Sequence, residues 1–136
     1  MNETPNLGLR RSGHMSRHNA DCIADRLFYN RSTVSEEMIE KSYALALDRR
    51  CAINTLRYVL AIRKYDVREC LRQVPCAVSM IRGAHDRIAP VEDWEENLHL
   101  IARGSLHKLA RCGHWPMIER PAEFNAILTK FMQEQV

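Results

Sequence analysis

Glycine is scarce in this chain, and its placement excludes more than its number does. The 136 residues hold five, at Gly8, Gly13, Gly83, Gly104 and Gly113. No two stand four apart, so the G-x-S-x-G turn that exposes a nucleophilic serine between a strand and a helix is absent. Cysteine or aspartate in place of the serine would not restore it. There is no Gly-rich phosphate loop and no dinucleotide fingerprint. The five cysteines, Cys22, Cys51, Cys70, Cys76 and Cys112, are odd in number and form no C-x-x-C pair. That argues against a disulfide framework, and we expect them as small buried residues, since free cysteine packs as a hydrophobe. Cys112 and His114 offer two metal ligands with no third or fourth at usable spacing, so neither a metal nor a cofactor is expected. No apolar run approaches the ~20 residues of a membrane span. Met1 to Ala20 is polar and lacks the apolar core of a signal peptide, which makes a cytoplasmic location the expectation. Arg10, Arg11 and Arg17 make the N-terminus locally basic, but no aromatic residue lies among them, and the net charge is only +3. This points away from nucleic acid.

What is present is an ordinary globular composition, 46% hydrophobic and 27% charged, in a chain of single-domain size. Residues 1–18 carry Pro5, Gly8, Gly13 and many polar groups without a sustained period, and read as a flexible leader. From Asn19, a candidate cap, the period becomes helical, with Ile23, Leu27 and Phe28 on one face. Asn30-Arg31-Ser32 breaks it. Thr33-x-x-Glu36 reads as a capping box, followed by Val34, Met38, Ile39 and Tyr43 on a helix ending near Asp48. A third helix turns Ile53, Leu56, Val59 and Leu60 inward. Three helical periods over residues 19–65 with no strand between them suit a helical cap over an active site.

The rest, residues 66–136, changes character. Val67, Cys70, Leu71 and Val74 predict a short helix before Pro75. Cys76 to Ile81 is an apolar run broken only by Ser79, the mark of a strand buried on both faces. A helix over about Val91 to Ala102 places Trp94, Leu98 and Ile101 inward. Leu106 to Ala110 reads as a second strand. A last helix from Pro121 carries Phe124, Ile127, Leu128 and Phe131 on its apolar face; proline suits the first helical turn.

Each strand-like run is followed by a turn with one group able to do chemistry. Asp86 follows the first and His114 the second. In α/β proteins such turns bring groups to the carboxyl ends of parallel strands. His114 can act as a general base, and Asp86 can hold its imidazole in one tautomer. The bland readings are an Asx-turn aspartate and a hydrogen-bonded loop histidine. His85, beside the acid, reads as incidental, and Trp94 as helix packing.

Gly83-x-x-Asp86-x-x-x-Pro90, with Gly113-His114-Trp115, Glu119-x-Pro121 and Phe124-Asn125, resembles the acid loop, histidine loop and last helix of the α/β-hydrolases. The Gly-His-Trp and Glu-x-Pro-x-x-Phe-Asn pattern is most similar to the hydrolases of meta-cleavage products in aromatic degradation, which cut a carbon–carbon bond. The resemblance covers roughly Val67 to Phe131 well and the cap region more loosely. It implies a partial α/β-hydrolase fold, a helical cap followed by the last two parallel strands and flanking helices. It also implies Asp86 and His114 as the triad's acid and base, and Trp115 in the substrate pocket. Glu119 and Asn125 take structural roles. A small-molecule substrate and a homo-oligomer follow by family analogy.

Two departures accompany the resemblance. The nucleophile motif and the Gly-rich oxyanion loop are missing. Ser42 stands where these hydrolases carry a substrate-contacting arginine in the cap. The expectation is therefore the cap and C-terminal part of an α/β-hydrolase, truncated before its nucleophile and inactive alone. Ester, epoxide or haloalkane hydrolysis are rivals within the fold. A non-catalytic remnant that binds a partner or ligand is the alternative outside it.

Overall fold

In the computed structural model, which describes residues 16–135, helices precede a two-stranded parallel sheet. Most of the expected leader lies outside the described residues. Helix α1 is Arg17–Leu27, so its first turn takes the last two residues assigned to that leader. Its cap is Ser16, whose hydroxyl accepts from the Asn19 N–H at 3.2 Å, and not Asn19. A 3₁₀ turn over Arg31–Thr33 follows.

Helix α2 is Glu36–Leu47, capped by Ser35 on the Met38 N–H at 3.2 Å. The Thr33–Glu36 capping box does not form. The Thr33 hydroxyl instead donates to the Asn30 carbonyl at 2.7 Å and closes the 3₁₀ turn. Glu36 and Glu37 in the first turn complement the helix dipole, and Arg17 bridges α1 to α2 through Glu36 and Glu40. Helix α3, Arg49–Ile62, starts where the Asp48 carboxylate accepts from the Arg50 and Cys51 N–H groups at 2.7 and 3.1 Å. Asp66 caps the short α4, Val67–Arg72, in the same way.

Strand β1, Val78–Gly83, begins two residues later than expected and runs two residues further. Helix α5, Val91–Asn97, gives way to a 3₁₀ turn over Leu98–Leu100, which shortens the expected helix. Strand β2, Gly104–Leu109, lies parallel to β1 in register from Val78–Gly104 to Gly83–Leu109. Then come α6, Pro116–Glu119, and α7, Pro121–Gln133, each starting on proline. No helix among the described residues is long and apolar enough to cross a membrane.

The largest buried cluster lies in the helical half, where Ala20, Ala24 and Phe28 of the α1 region meet Val34 and Ile39, with Leu27, Met38 and Tyr43 against them. Val91, Ile101, Leu109 and Cys112 are buried around the sheet. Several inward assignments do not hold. On α3, Ile53, Leu56, Val59 and Leu60 are exposed, because none of the described elements packs over that face. Leu128 on α7 is exposed too. Residues 78–82 of β1 are half-buried; among the described residues β1 pairs with β2 alone. Of the cysteines only Cys112 is buried; Cys22, Cys70 and Cys76 are exposed and Cys51 is intermediate. Cys22, Cys51 and Cys70 lie on faces of α1, α3 and α4, and Cys76 in the bend before β1, where the described residues do not fully cover them.

Candidate active site

The parallel register brings the last residues of β1 and β2 level, so the loops that follow leave the sheet side by side. Backbone hydrogen bonds then join them. The Ala84 N–H donates to the Leu109 carbonyl and the His85 N–H to the Cys112 carbonyl, both at 2.9 Å. Gly83 makes this approach possible. A Cβ there would lie 2.0 Å from the Gly113 oxygen and 2.4 Å from the Cys112 oxygen. Gly113 is needed for closeness as well, since a Cβ would fall 2.5 Å from the Leu27 oxygen.

On this frame Asp86 and His114 meet. The imidazole Nδ1 lies 2.8 Å from Asp86 Oδ2. The other oxygen, Oδ1, accepts from the Ile88 and Ala89 N–H groups at 2.9 and 3.0 Å. Asp86 is thus an Asx-turn residue and the imidazole's partner at once. Its side chain is 1% exposed, against 27% for His114. Burial pushes the Asp86 carboxyl up, but donation from Ala89, His114 and Ile88, with the nearby His114 charge, outweighs it and holds the group below the ordinary carboxylate range. An imidazole that donates from Nδ1 keeps its lone pair on Nε2, which is what a general base requires.

Sequence reasoning missed Arg82. Its Nη2 donates to Asp86 Oδ2 at 2.8 Å and to the Ala89 carbonyl at 2.9 Å. The guanidinium carbon lies 5.4 Å from the centre of the Trp94 ring. Trp94 therefore does more than pack its helix. The available signal was a cation just past an apolar strand run, four residues before the acid.

Glu119 ties the helical half to the histidine loop. One carboxylate oxygen accepts from the Gly113 N–H at 2.6 Å, the other from the Tyr29 and Asn30 N–H groups at 2.8 and 2.9 Å. The His114 N–H donates to the Leu27 carbonyl at 2.7 Å, and the His85 ring lies against Tyr29 with centroids 4.6 Å apart. The Trp115 ring meets His114 edge-on at 5.6 Å. It also lines an apolar cavity of about 220 Å³ with Ile23, Leu27, Met38, Ser42 and Ile118. Cys112, beside the base, is buried, and burial first, then Glu119, pushes its thiol up to about 11. The two strands each carry one serine, and neither stands near the pair. Ser79 and Ser105 each lie four residues before the end of their strand, about 13 Å along it.

A family model for the alpha/beta hydrolase family matches residues 4–127. The chain belongs to the alpha/beta hydrolase family. Within it, the chain is 32% identical over 102 residues to the 2-hydroxy-6-oxo-6-(2'-aminophenyl)hexa-2,4-dienoic acid hydrolase of Metapseudomonas resinovorans, covering 71% of this chain and 35% of that protein. It is 28% identical over 118 residues to a 2-hydroxy-6-oxo-2,4-heptadienoate hydrolase of Pseudomonas putida, covering 81% and 42%. A variant of the meta-cleavage product hydrolase CumD from Pseudomonas fluorescens IP01 superposes with a TM-score of 0.73 at 26% identity, over 89% of this chain and 47% of that one. The chain therefore spans between a third and a half of the length of these relatives, and its two strands and flanking helices are a partial α/β-hydrolase fold.

Proposed function

We propose that this chain carries the helical cap and the acid–base half of a hydrolase site for a carbon–carbon bond in a meta-cleavage product. Asp86 orients the imidazole, and His114 takes a proton from the nucleophile and returns it to the leaving group. The observation that carries the reading is the 2.8 Å contact between a buried carboxylate and His114 Nδ1 at the carboxyl ends of two parallel strands. The activities for which these relatives are named supply the substrate class.

Trp115 and the cavity beside it receive the apolar end of the substrate. Ser42 is the polar residue of that wall, and none of the described residues lining it is a cation. The reading includes a small-molecule substrate, a cytoplasmic setting consistent with five free thiols, and self-assembly by analogy with the family. Division into a leader over 1–18, a cap over 19–65 and a core portion over 66–136 belongs to this reading, with residues 17 and 18 passing to the cap as the start of α1.

These 136 residues contain no G-x-S-x-G, and oxyanion donors are usually the larger electrostatic contribution, about 10²–10³ in rate for one donor. The purified chain should show no burst with an activated ester and no fluorophosphonate labelling, yet should bind a 2-hydroxy-6-oxo-6-phenylhexa-2,4-dienoate with a change in its visible spectrum. Trp115→Ala should weaken that binding. Stoichiometric serine labelling lost in His114→Ala would overturn the inactive reading, and no spectral change with the dienoate would overturn the substrate class. A second reading, a non-catalytic module that binds a partner, is favoured by the uncovered apolar row Leu56, Val59 and Leu60 on α3.

A further inference from the structure

We propose that Arg82 is a positioning residue for the acid, the cation that keeps Asp86 ionised while His114 is neutral. The inference rests on the acid–base reading above. A general base must be uncharged before it takes its proton. In that state His114 gives Asp86 a hydrogen bond but no positive charge, and the Ile88 and Ala89 N–H groups on Oδ1 give none either. A carboxylate that solvent barely reaches is costly to keep charged without a compensating cation. Among the described residues the cation on this carboxylate is the Arg82 guanidinium, which shares Oδ2 with the imidazole, each at 2.8 Å.

The guanidinium is itself held. Its Nη2 also donates to the Ala89 carbonyl, its Cζ lies over the Trp94 ring, and its side chain is 21% exposed. It therefore binds strand, acid turn and α5 together, which a mobile surface arginine would not do.

The other charged neighbours are engaged elsewhere. Lys108, level with Arg82 on β2, is paired with Glu95 of α5 at 2.6 Å, with Glu92 nearby. Arg87 in the acid turn donates to the Asp25 carbonyl at 3.3 Å. Glu119 faces the Gly113, Tyr29 and Asn30 N–H groups, and His85 lies on Tyr29.

The experiment follows the Asp86 carboxyl carbon by NMR in the whole chain labelled at aspartate. In His114→Ala, Asp86 should still titrate below the ordinary carboxylate range, because the Ala89 and Ile88 N–H groups and the guanidinium remain. Arg82→Gln keeps an amide donor without the charge and should move the Asp86 midpoint upward by about 1–3 pH units, the usual effect of a close opposite charge. Arg82→Lys should hold it near the parent value. An unmoved midpoint in folded Arg82→Gln overturns the proposal. If Arg82→Gln does not fold, the Arg82 Nη proton signals of the parent decide: they shift at the pH where Asp86 titrates, or the proposal falls. The acid–base reading fails by a separate sign, a His114 Nδ1 proton signal left unchanged by Asp86→Asn.

Discussion

Asp86 accepts four hydrogen bonds, from Arg82, Ile88, Ala89 and His114, on a side chain that solvent barely touches. Its folded titration lies below its unfolded value of about 3.9, so its contribution to stability is present above that pH and is lost as pH falls through the folded value. Urea denaturation of the parent should therefore show falling stability on acidification below about pH 4, and Asp86→Asn should flatten that part of the profile. Glu119 answers three N–H groups from two segments far apart in sequence. Glu119→Ala should cost roughly 2–3 kcal/mol, since it leaves charge-assisted bonds unmade; the shift in urea midpoint checks it. Cysteine alkylation followed by mass spectrometry should modify Cys22, Cys70 and Cys76 in the folded protein and spare Cys112, which is buried and whose thiol is pushed up to about 11.

Between elements, the site depends on how closely two loops approach. Gly83 is the narrowest point, with no room for a methyl group between β1 and the Cys112–Gly113 backbone. Gly83→Ala should destabilise the chain by about 3 kcal/mol, the upper range for overpacking, and should broaden the His114 ring signals as the loops separate. Helix α3 is the opposite case. Its hydrophobic period predicts burial, yet Leu56 is 59% and Leu60 51% exposed. At concentrations where the chain is monomeric, Leu56→Lys and Leu60→Glu should therefore change stability by no more than about 0.5 kcal/mol each. If either costs several times that, α3 is covered in solution by something these residues do not show.

Among the described residues, two strands and seven α-helices leave apolar surface on α3 and an unpaired flank on β1. Uncovered apolar faces and open strand edges associate. Sedimentation should show concentration-dependent association of the parent, and the Leu56→Lys, Leu60→Glu pair should reduce it.

The sequence by itself determined the order of elements, because apolar periods of 3.6 and continuous apolar runs report which local geometry can bury a face. It also pointed to Asp86 and His114, because each follows a strand-like run and a glycine. Other features were decided only in three dimensions. Caps moved to Ser16 and Ser35, since several neighbouring polar residues can cap a helix and the winner depends on where the chain enters it. Burial of α3 and of four cysteines failed because a hydrophobic period states what a face would bury, and whether a partner covers it is a tertiary matter. Arg82 was invisible as part of the site because its contact with Asp86 requires the turn over Gly83 to fold the acid back onto the strand it has just left.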